Sequence, residues 1–185
     1  MASDLSSTSL AELAAAIEAR SLPPVDQWHP SHCGDSEMRI ARDGSWYHQG
    51  SPIGRPAMVK LFSTILRREP DGRFVLVTPV EKLDIVVEDA PFVAVELRSE
   101  GEGRDRRLGF RLNTDEHVIA GPEHPLRVEL ESDGTPRPYL HVRGGLDALI
   151  ARSLFYELAE IALADGDDPP GVWSDGSFFP IGGMA

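Results

Sequence analysis

The chain has 185 residues, a single cysteine and a formal charge of -12. So acidic a chain repels duplex nucleic acid, and one cysteine, Cys33, allows no internal disulfide. No apolar run approaches the roughly 18 residues of a membrane span, and Asp4, Glu12 and Glu18 interrupt the start where a secretory signal would need a basic, then apolar, stretch. A cytoplasmic, non-membrane globular protein is expected.

In chain order, Met1 to Ser9 is Ser/Thr-rich and reads as a loose tail. Leu10, Leu13, Ala14 and Ile17 recur at helical spacing, and Pro23-Pro24 ends that short helix. Met38 to Arg42 and Ser45 to His48 read as two strands joined by Asp43-Gly44, a dipeptide suited to a type I′ turn. Gly50, Pro52 and Gly54 form a bend. Pro56 follows at the first turn of a helix, where its missing N–H costs nothing. Met58, Leu61, Phe62, Ile65 and Leu66 give that helix its apolar stripe.

Strands are expected over Phe74 to Thr78, Leu83 to Val87, Phe92 to Leu97, Arg107 to Leu112 and Leu126 to Leu130, with polar turns that suggest antiparallel pairing. Asp133-Gly134 turns the chain, and Tyr139 to Val142 returns. Gly144-Gly145 precedes a long helix expected over Leu146 to Ala164. Asp165 to Pro170 breaks it, and Val172-Trp173 and Phe178-Phe179 flank a last Asp175-Gly176 turn.

Two segments echo each other. One starts at Asp43 and the other at Asp133. Each has an Asp-Gly turn, an aromatic-containing strand ending in histidine, a glycine bend and a helix. His48 precedes Leu61-Phe62 by the spacing that separates His141 from Leu154-Phe155. The expected architecture is α+β: two β-rich lobes from a duplicated hairpin-plus-helix unit. A tail and short helix would occupy 1–27, the first lobe 28–90 and the second, with its long helix, 91–185. Clefts between lobes are favoured ligand sites.

Candidate chemistry is sparse. His29, His32 and Cys33, with Asp35 and Glu37, lack a fourth ligand at convincing spacing, so no metal and no other cofactor is expected. An enzyme reading would need a site assembled from scattered residues such as Cys33, His48 and Glu81. A protein-interaction adaptor would use an exposed sheet edge. The favoured reading is non-enzymatic. Arg39, Arg42, Arg55, Lys60, Arg67, Arg68 and Arg73 crowd the first lobe of an acidic chain, and Arg55 falls at a helix start, where backbone N–H groups attract anions. Arg55 and Lys60, with Lys82, would hold a small anionic ligand, and Trp46, Tyr47 and His48 on the preceding strand would lie against it. Homo-oligomerisation stays open.

The stretches HCG from His32, DGSWYHQGSPIGR from Asp43, LFSTILRRE from Leu61, LVTPVEK from Leu76 and VEDAPFVAVE from Val87 resemble the bacterial domain-of-unknown-function 1285 family, as do the C-terminal GLDALIARSLFYELAEIA and GVWSDGSFFPIG. The resemblance runs from Trp28 to Gly182. It implies a two-domain protein with a duplicated core, a C-terminal domain superficially like a pleckstrin-homology fold, and a nucleotide-like ligand at the interdomain surface in signal transduction. It implies no catalytic residues.

Overall fold

The structure is a computed structural model that describes residues 9–182. The expected loose tail over residues 1–8, and the side chains of Leu13 and Ile17, lie outside the described residues. Helix α1 (Leu10–Ala19) is present, and Leu10 is buried. No helix among the described residues is long and apolar enough to cross a membrane.

The first lobe has six strands: β1 (His32–Ile40), β2 (Trp46–His48), β3 (Ser51–Pro52), β4 (Leu66–Arg68), β5 (Phe74–Val77) and β6 (Glu81–Val87), with helix α2 (Pro56–Thr64) between β3 and β4. The second has β7 (Phe92–Glu100), β8 (Arg107–Leu112), β9 (His117–Ile119), β10 (Leu126–Leu130), β11 (Pro136–Arg143) and β12 (Leu146–Ile150), followed by helix α3 (Arg152–Asp165). A closing hairpin, β13 (Gly171–Ser174) and β14 (Ser177–Pro180), turns at Asp175-Gly176 as expected.

The two sheets share one topology. Their orders are β3-β2-β1-β6-β5-β4 and β10-β11-β12-β7-β8-β9. In each, an opening three-strand meander and a closing one meet through their outermost strands in sequence: β1 runs parallel to β6, and β7 parallel to β12. All other pairings are antiparallel. The fold is thus α+β with two β-rich lobes of duplicated topology, in which β1-β2-β3 corresponds to β7-β8-β9. The segments echoed from Asp43 and Asp133, β1-β2-β3-α2 and β10-β11-β12-α3, are each a meander followed by a helix, but they sit in non-equivalent places: β1 is an inner strand and β10 an edge strand.

The echo does not extend to side-chain register. Leu61 is 63% exposed, whereas its counterpart Leu154 is 4% exposed. The reason is the length and seat of each helix: α2 ends at Thr64 and buries only Ser63, while α3 runs on and buries Leu154, Leu158 and Ala162. Ile65 and Leu66, expected in the stripe of α2, instead cap it and open β4. A second correction concerns the long helix. Leu146, Ala148 and Ile150 are buried and Asp147 and Leu149 half-exposed, the two-residue alternation of a strand, and this segment pairs with both β11 and β7.

One apolar core runs through both lobes. Ile40, Trp46, Leu66 and Ile85 of the first belong to the same packed cluster as Phe92, Phe110, Leu140 and Leu158 of the second. Gly44 shows how closely they meet. It turns β1 into β2 at φ +84°, and a Cβ there would lie 2.7 Å from the Asn113 amide nitrogen and 2.9 Å from a methyl of Val93.

Candidate functional site

The bend between β3 and α2 builds a site for simple reasons. Gln49 and Gly50, at φ 49° and 78°, reverse the chain after β2. The Ile53 N–H donates to the Trp46 carbonyl at 2.8 Å, which folds the bend back over β2. Pro56 then opens α2 with Arg55 as its extended N-cap residue, and no side chain caps the helix and no acid lies in its first turn. The Met58 and Val59 N–H groups both donate to the Arg55 carbonyl, at 3.0 and 3.3 Å. Pro56 has no donor, so the Ala57 N–H is the first-turn group left over.

A cavity of about 290 Å³ lies beside this helix start. Trp46 and Tyr47 of β2, Gly54 and Pro56 of the bend, and Asn113 of the second lobe line it. Asn113 joins the lobes: its side-chain oxygen accepts the Val93 N–H at 3.0 Å and its side-chain nitrogen donates to the Gly44 carbonyl at 3.3 Å. The cavity therefore sits on the lobe boundary, with its polar corner held in place from both sides.

Of the candidates, Trp46 and Tyr47 line this cavity; Arg55 is not among the lining residues, and the others lie apart. Trp46 is core, 2% exposed and stacked on Phe62 with ring centroids 6.4 Å apart, and its indole N–H has no partner. Tyr47 is half-buried, with the Arg39 guanidinium 4.3 Å over one ring face. Arg55 is exposed, between the lining residues Gly54 and Pro56, and its side chain has no partner among the described residues. Lys60, one turn into α2, forms an ion pair with Asp115 across the lobe boundary. His48 is exposed at the end of β2, outside the cavity lining. Lys82, on β6, binds Glu69 at 3.3 Å, and Glu69 also takes Arg67 at 2.6 Å. Sequence reading missed Asn113, because the LNTD stretch signals a turn but not what the turn touches.

The expected excess of positive charge in the first lobe is mostly consumed within the protein. Arg39 pairs with Glu88 at 2.6 Å, Arg73 with Asp71 at 2.8 Å and Asp84 at 3.1 Å, and Arg42 with Glu131 of the second lobe at 3.9 Å. Asp71 lies within the basic stretch, but Asp84, Glu88 and Glu131 lie beyond it, so a local tally could not include them. Arg68 finds no carboxylate but donates to the Gly145 carbonyl at 3.4 Å and covers the Phe74 ring at 5.6 Å. Burial pushes the Asp115 carboxyl upward, yet bonds from Lys60 and Arg111 outweigh it and hold the group below its usual range. Glu69 is lowered in the same way, burial opposing and Arg67 and Lys82 prevailing.

The residues of the enzyme reading do not converge. Cys33 is exposed on β1, in register with Lys82, and Glu81 faces His32 on that same β6 side. His48 pairs with Met38 on the opposite side of β1. Among the described residues no three of the His, Cys, Asp and Glu side chains could hold a metal ion together.

Two family models match the chain. The N-terminal domain of a domain of unknown function, DUF1285, covers residues 23–90, and the C-terminal domain of the DUF1285 protein of unknown function covers 91–181. No curated protein matches. Among solved structures, a DUF1285 family protein from Silicibacter pomeroyi DSS-3 is 49% identical, with 95% of each chain covered and a TM-score of 0.80. A DUF1285 family protein from Shewanella baltica OS155 is 25% identical over 70% of this chain and 96% of that one, with a TM-score of 0.53.

Proposed function

This chain belongs to the DUF1285 family, a family described only as of unknown function, and from its geometry we propose that it is a non-enzymatic sensing protein that binds a small phosphate-bearing, nucleotide-like ligand at the lobe boundary beside α2. The observation that carries this reading is Arg55: Arg39, Lys60 and Arg73 of the same lobe are paired with carboxylates, while Arg55 is exposed, has no partner among the described residues and lies in sequence between Gly54 and Pro56, which line a cavity that both lobes share. A planar guanidinium fork suits phosphate oxygens. The uncapped N-terminus of α2 adds the positive end of its dipole and the Ala57 N–H to the same place. Tyr47 supplies a ring whose other face can take a base. Because Gly44 and Asn113 tie the lobes at this cavity, an occupant would bear on the contact between them, which is how binding would be sensed.

The experiment is a thermal-shift titration with inorganic phosphate and with nucleoside mono-, di- and triphosphates, on wild type, Arg55→Ala and Arg55→Ser. At least one nucleotide is expected to raise the midpoint of wild type, and Arg55→Ala to weaken its binding about tenfold or more. Arg55→Ser separates ligand binding from structure. Serine caps extended N-cap residues well, so this variant should be about 0.5–1 kcal/mol more stable than wild type without ligand and yet lose the ligand shift. If no phosphate compound stabilises wild type, or if both variants keep a full shift, the site is wrong.

A further inference from the structure

A second, larger cavity of about 400 Å³ lies wholly within the second lobe and shares no residue with the site beside α2. It is a groove between α3 and the β10–β11 hairpin. One wall is the stripe Phe155, Ala159 and Leu163, spaced four residues apart on α3 and so stacked along one face over about 12 Å. The opposite wall is Leu130 and Pro136, and Pro170 and Ile181 close one end. The small Ala159 between Phe155 and Leu163 makes the depression. The walls are apolar to their rims: Leu163 is 75% exposed and Leu130 51% exposed. Two large aliphatic side chains facing water across one groove mark an interaction surface.

The charged residues next to its lining residues in sequence are mostly acidic. Glu160 follows Ala159, Asp168 stands two residues before Pro170, and neither has a partner among the described residues. Asp133 precedes the lining residue Gly134 and bonds only the Thr135 N–H, at 2.8 Å, which holds its carboxyl below the usual range. Glu131 follows Leu130. The neighbouring cation Arg137 is already taken by Asp89 and Glu131. Arg152 opens α3 a turn before Phe155, at the end away from Asp168.

We propose that this groove docks a basic amphipathic peptide segment of a partner protein, whose apolar side chains fill the space over Ala159 and whose Lys or Arg side chains meet Asp133, Glu160 and Asp168. Fatty acids and anionic lipids would carry the wrong charge for this rim. The apolar stripe of α3 at i, i+4 spacing matches an amphipathic helix laid along it.

The test uses the full chain and a fluorescein-labelled helical peptide of Leu and Lys, with Leu at i, i+3, i+4 and i+7, read by anisotropy. The same peptide with Glu in place of Lys is the charge control, and sodium oleate is a competitor. The Leu/Lys peptide is expected to bind and the Leu/Glu peptide not. Ala159→Trp, which fills the groove, and Leu163→Ser, which removes an exposed wall and should leave the melting temperature unchanged, are each expected to weaken binding about tenfold. Glu160→Lys should weaken it further, and Arg55→Ala should leave it as in wild type. The proposal is overturned if the Leu/Glu peptide binds equally, if oleate displaces the Leu/Lys peptide, or if Leu163→Ser and Ala159→Trp both bind as wild type. It is also overturned if wild type is a dimer that Leu163→Ser dissociates, since a second copy would then be the occupant.

Discussion

Single residues in this protein act chiefly as ties between segments far apart in sequence. Arg106, just before β8, and Asp165, the last residue of α3, form a two-pronged ion pair, with one arm at 3.0 Å. The Arg106 side chain is only 8% exposed. Breaking a buried pair by removing one charge strands the other in a poor solvent. Asp165→Asn is therefore expected to cost about 3 kcal/mol, measured by urea denaturation, whereas the fully exposed pair Arg73–Asp71 should tolerate Asp71→Asn with little change. A loss for Asp165→Asn no larger than for Asp71→Asn would show that the pair is solvated. Neither partner is legible as such in sequence. Arg106 lies in the run RDRR, where any of three arginines fits equally, and Asp165 looks like an ordinary helix stop.

At the scale of elements, local chemistry decided the turns and tertiary contacts decided the strands at the edges. Asp43-Gly44, Asp133-Gly134 and Asp175-Gly176 all turn hairpins, with the glycines at φ +84°, +84° and +75°. A positive φ is what glycine alone adopts freely, so the places of these turns could be read directly. The expected type I′ geometry at Asp43-Gly44 is not found: it needs a positive φ at both central residues, which Asp175 has at 47° but Asp43 and Asp133 lack, and the Gly44 and Gly134 N–H groups instead donate to the Ala41 and Glu131 carbonyls. The three glycines are not equivalent in packing. A Cβ on Gly134 or Gly176 would enter open space, whereas one on Gly44 would strike Asn113 and Val93. Gly134→Ala is expected to cost about 1 kcal/mol, from backbone strain alone. Gly44→Ala should cost about 1–3 kcal/mol more, because the lobe contact must also shift. Equal losses in chemical denaturation would contradict this account of the lobe contact. The segment Leu146–Ile150 went the other way. Its five residues fit the apolar face of a helix continuing into α3, and helical and strand periods cannot be told apart over so short a run. The open flanks of β11 and β7, and the positive φ of Gly144 and Gly145, settle it as a strand.

For the whole molecule the consequence of a shared core is cooperativity. The two lobes carry one contiguous apolar cluster, and Lys60–Asp115, Arg143–Glu116 and the bond from Arg143 to the Ser63 carbonyl add polar ties around the boundary. Unfolding of the full chain should be a single two-state transition, with calorimetric and van't Hoff enthalpies equal. Two resolved transitions would contradict it. The same ties give the transition its pH dependence. Asp165, lowered first by its bonds from Arg106, and Asp115 and Glu69, lowered despite burial, all have folded values below their unfolded range near 4. Their stabilisation is complete above about pH 4 and is lost as the pH falls through their folded values. The midpoint should hold from neutral pH to about 5 and drop steeply below about 4, still as one transition. By itself, the sequence determined what depends on residues close in the chain: the places of the Asp-Gly hairpins, the start of α2 at Pro56, and the meander-then-helix order of the two echoed segments. Tertiary structure alone decided which strands meet in parallel, which echo positions are buried, that the first lobe's cations are neutralised by acids of distant strands, and that Asn113 completes the cavity. The physical reason is range: backbone preferences act over a few residues, whereas burial and charge pairing depend on neighbours that only the folded chain brings together.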